Sequence, residues 1–266
     1  MSVVKQTRRI VVCADDFGAN DAASNAIIDL GQRQALSATS CLVHAPAAAT
    51  HASRLRVAAP AVSIGLHLDL TQFVPGSIRA TLHRWLLRGL VLRNADRAQV
   101  LAEIRRQLQR FEELFARPPA YVDGHCHVHQ LPGVREPLLR EIAARYGRSV
   151  AIRSTCVAGR RGLKAWIIQE LGGRAMRRQI ARAELHANTD FAGVYDFSRS
   201  QPFERRMEYW LRRLHDGGML MCHPEMPVAA AEPGCAREDE YRFLASPAWS
   251  EMRARHGILL EPFRGS

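Results

Sequence analysis

Strand-like and helix-like segments alternate along this sequence from one end to the other, and that alternation limits the fold more than any other feature. Residues 9–14 (RIVVCA) form a β-branched apolar run, whereas apolar side chains recur every three or four positions in residues 96–116, as on one face of a helix. The other predicted strands are 37–43, 63–70, 121–129, 149–153, 218–222 and 258–262. The other predicted helices are 20–34, a segment ending at Ala58, 135–146, 162–184, 203–215 and 247–256. We expect Gly172 and Gly173 to break the helix predicted for 162–184.

Strands that alternate with helices of this length indicate βαβ units and therefore a sheet of mostly parallel strands. An α/β barrel needs about 250 residues, so the 266 residues suit a single domain over residues 1–266. We predict an α/β fold of the distorted (β/α) TIM-like barrel type. An open doubly wound sheet is the alternative.

The chain is basic, with a formal charge of +11, and nearly all of its positive charge is arginine, since Lys5 and Lys164 are its two lysines. The arginines are spread over most predicted helices, so we expect no nucleic-acid partner. A basic surface can instead favour anionic phospholipid headgroups. The six cysteines form no CxxC pair, which excludes zinc-finger and disulfide-scaffold classes.

No segment of the sequence is long and apolar enough to span a bilayer. The first residues also lack the apolar core of a signal peptide. We therefore expect a cytoplasmic protein, with peripheral contact at the inner membrane face as a further option.

Polar side chains gather at the predicted carboxyl ends of four strands. Because these ends share one face in parallel α/β proteins, we expect the side chains to meet there. They are Asp15, Asp16, His67, Asp69, Asp123, His125, His127, His129 and His223.

The segment DGHCHVH is the richest of these contributions. If it is a strand, Asp123, His125, His127 and His129 point to one face, and Cys126 points to the other. So many titratable groups on one buried face need a partner, and imidazole with carboxylate suits zinc, whereas magnesium prefers oxygen ligands. A solvent-exposed His-rich strand is the alternative.

The adjacent Asp15 and Asp16 offer two carboxylates with different tasks. Where a strand ends and the chain turns, both can face a pocket, so that one binds metal and the other acts as a base. Alternatively, one caps a helix and the other lies in a loop. His223, before Pro224, is a candidate general acid or a structural histidine.

The sequence resembles the YdjC family of carbohydrate deacetylases. The resemblance runs through ADDFG (14–18), residues 25–27 (NAI), IGLHLDLT (64–71), DGHCHVH (123–129) with Pro132 after it, and MCHPE (221–225). It implies a distorted β/α barrel with one divalent cation. Zn²⁺ is favoured by the ligand types, and the family also allows Mg²⁺.

The resemblance also implies a role for individual residues. Asp16, His67 and His125 would hold the metal, Asp15 would be the base and His223 the acid. We expect four further residues in substrate binding or around the ligands, namely Asp123, His127, His129 and Arg153.

The function implied is hydrolysis of the N-acetyl group of an amino sugar, with release of acetate. A lipid-linked acceptor such as an N-acetylglucosaminyl hopanoid is our first expectation, and a soluble chitooligosaccharide is the alternative. More remote alternatives are a non-catalytic sugar- or metal-binding protein and a metal-dependent phosphoesterase. A homodimer is left open.

Residues 81–94 (TLHRWLLRGLVLRN) bear on the choice of acceptor. They can place Leu82, Trp85, Leu86 and Gly89 on one helical face, with arginines elsewhere. Such a helix either touches a membrane surface or packs as a lid on the rim of the barrel.

Overall fold

Parallel strands form the framework of the computed structural model, which describes residues 7–76, 78–87, 97–159, 162–227 and 235–265. Every strand pair in these residues is parallel, and the neighbours follow the order β5-β4-β3-β2-β1-β7-β6, with β8 against β1. The strands are β1 (Arg8–Phe17), β2 (Ala38–Cys41), β3 (Ser63–Leu68), β4 (Tyr121–Gly124), β5 (Ala151–Ile152), β6 (Phe191–Ala192), β7 (Gly218–Cys222) and β8 (Ile258–Leu260).

The two outer strands of this order, β5 and β6, are linked by the chain that precedes β6. The Ile152 amide donates to the His186 carbonyl over 2.9 Å. The Asn188 side chain accepts from the Ser154 amide and donates to its carbonyl, both over 2.8 Å. Backbone and side-chain hydrogen bonds thus link the two edges of the sheet. The predicted α/β fold of the distorted barrel type is confirmed.

The helices lie between successive strands, as βαβ units require. In the described residues they are α1 (Asp21–Gln32), α2 (Ala48–Ala58), α3 (Leu82–Leu86), α4 (Arg97–Phe115), α5 (Arg135–Tyr146), α6 (Leu163–Ile168), α7 (Arg174–Arg182), α8 (Phe203–Leu211), α9 (Ala236–Leu244) and α10 (Pro247–His256). Among these residues, no helix combines the length and the apolar character that crossing a membrane demands.

Both faces of β1 are buried, because its side chains alternate between two apolar clusters. Ile10, Val12 and Ala14 pack into the larger cluster with the helices. Val11 and Cys13 belong to a smaller cluster with residues of other strands. Parallel strands covered on both faces read as continuous apolar runs, which explains the sequence RIVVCA.

The predicted strand 121–129 is wrong beyond its first half. The strand ends at Gly124, and His125–Gln130 is a 3₁₀ segment in which Cys126 and His127 have φ of 50° and 59°. A Cβ at Gly124 would lie 2.8 Å from the His129 backbone nitrogen, so the tight turn needs glycine there. The expected alternation of side chains therefore does not continue through the segment.

The predicted helix 162–184 is broken near the expected glycines. Residues Gln169–Gly173 form a π-helical turn between α6 and α7. A Cβ at Gly172 would lie 2.4 Å from the Gln130 carbonyl oxygen, so the turn can pack against the 3₁₀ segment only with glycine. This turn changes the direction of the helix beside the carboxyl ends of the strands.

The apolar face predicted for residues 81–94 points inwards where the structure describes it. Trp85 of α3 is buried, and its indole N–H donates to the Leu70 carbonyl over 2.9 Å. Residues 88–94 lie outside the described residues. The described part agrees with a lid on the barrel rim.

Candidate metal centre and pocket

Three predicted metal ligands meet at the carboxyl ends of the strands. Asp16 Oδ1 lies 3.0 Å from His125 Nδ1 and 3.5 Å from His67 Nε2. One ligand atom from each of the three residues falls within 4.8 Å of those of the others. Asp16 and His67 are buried, and His125 is partly exposed. The set offers a cation one carboxylate oxygen and two imidazole nitrogens, with an open side.

A local irregularity of β1 lets both adjacent aspartates face this site. The register of β1 against β2 shifts between Ala14 and Phe17, and Asp16 has φ of 67°. Such bulges place two consecutive side chains opposite one partner residue and often lie beside functional sites. A left-handed aspartate costs conformational energy, which the surrounding contacts must offset.

His67 is held in its orientation by the residue opposite it on β4. Its Nδ1 lies 2.6 Å from Asp123 Oδ1 and 3.0 Å from Ser40 Oγ, which leaves Nε2 for the ligand set. Burial opposes the charged form of His67, but Asp123 raises its pKa well above the ordinary value. Asp123 thus contacts a predicted ligand rather than the open side of the site.

Asp15 is bound by Arg153, and no local sequence pattern predicts this pairing. The guanidinium donates from Nη1 to Oδ2 over 2.6 Å and from Nη2 to Oδ1 over 2.5 Å. Burial favours the neutral form of Asp15, yet Arg153 holds its pKa well below the usual range. Asp15 is therefore ionised at neutral pH although almost no solvent reaches it.

The same guanidinium reaches a second carboxylate. Arg153 Nη2 lies 2.6 Å from Asp123 Oδ2, and neither side chain is exposed. Cys13, Asp15 and Asp123 also form a cluster with metal-ligand atoms. Arg153 already supplies the positive charge there, so we assign no cation to this second cluster.

His223 directly follows β7, and its ring makes a T-shaped contact with the Phe197 ring at a centroid distance of 5.2 Å. Its Nδ1 is buried without a hydrogen-bond partner in the described residues. Burial lowers the pKa of His223 to about 4. The resting side chain is therefore neutral at pH 7, whereas the predicted acid role requires a protonated one.

Two residues of α9 complete the site and were missed from the sequence. Arg237 donates to Asp16 Oδ2 over 3.1 Å and to Glu225 Oε1 over 3.0 Å. Glu240 is fully buried, accepts the His223 amide and the Tyr195 hydroxyl, and has its pKa raised to about 7 by burial. Glu225 in the motif MCHPE is the one residue of this network that the sequence motifs included.

The other histidines of DGHCHVH are not arranged around His125 by the alternation of a strand. His129 is buried, and its Nε2 lies 3.1 Å from the Arg153 carbonyl oxygen, so it supports the segment that carries Arg153. His127 lines the pocket, and its ring stands edge-on to Phe191. Cys126, expected to point away, is exposed and also lines the pocket. The turn after Gly124 explains these differences.

A cavity of about 410 Å³ opens above the three predicted ligands. Asp15, His67 and His223 contribute to its polar end. Much of its remaining wall is aliphatic, from Leu82, Leu86, Leu131, Ile167, Ile168 and Leu171. An apolar wall with a few convergent polar groups is typical of a small-molecule site.

Known proteins resemble this chain over nearly its whole length. Residues 9–255 match the family described as YdjC-like protein. A chitooligosaccharide deacetylase of Serratia marcescens is 33% identical over 96% of this chain and 98% of its own length. A carbohydrate deacetylase of Mus musculus is 28% identical over 95% and 93%. A crystal structure from Enterococcus faecalis V583 superposes with a TM-score of 0.71 at 19% identity, covering 97% and 98%.

Proposed function

The chain belongs to the YdjC-like family and is a carbohydrate N-deacetylase, and we propose that it uses one divalent cation to deacetylate a lipid-linked amino sugar. The reaction would take place in a single domain over residues 1–266, at the polar end of the cavity. One observation carries the proposal: Asp16, His67 and His125, far apart in sequence, bring ligand atoms within 4.8 Å of one another.

The residues present fit a cation of the zinc type. Two imidazoles and one carboxylate are a ligand set that zinc accepts while keeping a position open. The carboxylates also make the site favourable for positive charge. Burial opposes protonation of His125, but the hydrogen bond to Asp16 raises the pKa of His125 to about 9. Asp123 behind His67 matches the carboxylate that commonly orients a ligating histidine. Mg²⁺ is the less favoured ion because of the imidazoles.

When bound by Asp16, His67 and His125, the cation would supply Lewis acidity, which lowers the pKa of a coordinated water to about 7 and polarises the acetyl carbonyl. Asp15 is the proposed base. Arg153 keeps it ionised and fixes both of its oxygens, so it can accept a proton at neutral pH in a geometry set before substrate arrives. A depressed pKa makes Asp15 a weaker base but an always available one.

His223 is the proposed proton donor to the departing amine. Because burial lowers its pKa to about 4, it must take up a proton from solvent during the reaction, while Asp15 returns the proton it accepted to solvent afterwards. The negative charges of Asp15 and Asp16 favour that gain. Glu240 and Phe197 fix the backbone and the ring of His223, which keeps the imidazole at the polar end of the cavity.

The aliphatic wall supports a lipid-linked acceptor, such as an N-acetylglucosaminyl hopanoid. Six leucine and isoleucine side chains line the cavity, and burying apolar surface contributes about 25 cal/mol per Å². A soluble oligosaccharide would leave much of this wall in contact with polar groups. Peripheral contact with a membrane would bring such an acceptor to the cavity.

A soluble chitooligosaccharide is the second candidate. The name of the relative from Serratia marcescens supports it, since that protein aligns with 96% of this chain. Tyr195 and Phe197 also line the cavity and could stack on sugar rings.

Acetate release from a panel of N-acetylated sugars, with and without a chelator, tests the proposal. We expect chelator-sensitive release that rises when the acceptor carries an apolar aglycone. Release from chitooligosaccharides alone would favour the second candidate. No release from any sugar, with normal metal binding, would contradict catalysis.

A further inference from the structure

Helix α6 exposes large apolar side chains to solvent. The exposed fractions are 71% for Leu163, 53% for Trp166 and 40% for Ile167. Single exposed apolar residues are normal, but a contiguous group indicates an interaction surface. Tryptophan in particular is enriched at membrane interfaces, where its ring lies at headgroup level.

This exposed group borders the mouth of the cavity. Ile167 and Ile168 line the cavity itself, together with Leu171 of the π-helical turn. Leu163 and Trp166 line a neighbouring hollow that Arg174 also reaches. Helix α6 therefore separates the cavity from this hollow. A membrane or protein that binds to α6 also lies at the entrance to the cavity.

Positive charge adjoins the apolar group. Arg174, Arg177 and Arg178 at the start of α7 line a hollow of about 320 Å³ and are exposed. Arg174 pairs with Glu170 over 2.9 Å. Arg177 and Arg178 form no ion pair with a residue in the part of the chain that the structure describes. This combination complements an anionic, partly apolar surface.

We propose that α6 and the first turns of α7 dock onto a bilayer that contains anionic phospholipid, with Trp166 and Leu163 in the interface and the arginines on headgroup phosphates. This contact would bring a lipid-linked acceptor to the cavity, and only the identity of that acceptor rests on the proposed function. It assigns the contact to α6 and α7 rather than to α3, whose Trp85 is buried. Apolar insertion and basic attraction together are what peripheral binding requires.

Co-sedimentation of the full chain with phosphatidylcholine vesicles, with and without phosphatidylglycerol, tests this surface. We expect binding to the anionic vesicles that weakens with salt. The double variant Leu163→Ser/Trp166→Ser should lose most binding, and Arg177→Glu and Arg178→Glu should each weaken it about five-fold or more. Matched controls are Val57→Ser and Leu259→Ser, at 77% and 57% exposure elsewhere, and the exposed Arg117→Glu. These should bind as the native chain does.

Two further readouts separate the possible outcomes. Acetate release from a short-chain soluble substrate should be unchanged in Leu163→Ser/Trp166→Ser, so a membrane defect is distinct from a catalytic one. If the native chain lacks deacetylase activity yet binds vesicles, the proposed function fails while this surface stands. Equal vesicle binding by native chain and variants would overturn the proposal. So would a native dimer that this variant converts to monomer, because a second copy would then cover the surface.

Discussion

Replacing Arg153 with methionine tests the buried ion pairs that support the site, because it removes the cation they share. Arg153 has no exposed surface and pairs with both Asp15 and Asp123, which are themselves buried. Breaking one buried ion pair by removing a partner typically costs about 3–5 kcal/mol, because a charge is left uncompensated. Since Asp15 loses its cationic partner and Asp123 keeps only His67, we expect a loss of at least about 3 kcal/mol in the free energy of unfolding at pH 7.

Chemical denaturation measures this loss, and its pH dependence identifies the cause. In the native chain, the lowered pKa of Asp15 contributes stability above its unfolded pKa that is lost as pH falls through the folded pKa. In Arg153→Met the buried Asp15 carboxylate is destabilising when it is ionised, so its protonation recovers stability. The stability gap between the two proteins should therefore narrow as pH falls from 7 towards 4.

Two comparisons control for a general packing defect. Arg212→Met breaks an exposed pair with Glu208 and should cost less than about 1 kcal/mol. Asp15→Asn combined with Arg153→Met should recover part of the lost stability, since one uncompensated charge is removed. A loss below about 1 kcal/mol for Arg153→Met, or no recovery in the double variant, would refute the reasoning.

Three other predictions follow from the same geometry. Asp15→Asn should lower kcat at least about 100-fold while metal content stays normal, as acetate release and elemental analysis would reveal; near-native turnover would remove Asp15 from the mechanism. Asp123→Asn should weaken metal affinity by about 10–100-fold, measured by competition with a chromogenic chelator, and unchanged affinity would exclude its support of His67. Glu240→Gln should gain stability relative to the native chain as pH rises from about 4.5 to 7, because the raised pKa of Glu240 makes its ionisation costly to the fold in that window; a pH-independent difference in unfolding free energy would contradict this.

The parallel architecture could be predicted because apolar periodicity is a local property of the sequence. RIVVCA and GGMLMC have the continuous apolar character of strands buried on both faces. Residues that follow such strands must gather at one edge, so Asp16 and His67 could be placed together without coordinates. The two-residue strand β5 could be predicted because Val150 extends its apolar run, whereas β6 was missed because its two residues stand between Asp190 and Gly193.

The arrangement within DGHCHVH could not be predicted from alternation. The backbone of Cys126 and His127 adopts positive φ, which no rule of side-chain periodicity anticipates. The contacts of Arg153 with Asp15, 138 residues away in the chain, depend on the closure of the barrel. Helix α9 was missed, and with it the contacts of Arg237 and Glu240.

The exposure of the apolar side chains on α6 could not be predicted from the sequence either. Residues 162–184 were expected to form a mostly helical segment with a break at the glycines, and the break alone does not say which side chains face solvent. The π-helical turn Gln169–Gly173 packs against the 3₁₀ segment through Gly172 and directs α6 along the cavity. Tertiary packing, rather than local pattern, decides this surface.

Anomalous diffraction at the zinc edge, from crystals of the full chain grown with zinc, tests the central claim most directly. We predict one strong peak bonded to Asp16, His67 and His125, with Asp15 still paired to Arg153 beside it. A peak among Cys13, Asp15 and Asp123, or no peak near His67 in crystals that bind zinc elsewhere, would contradict the account.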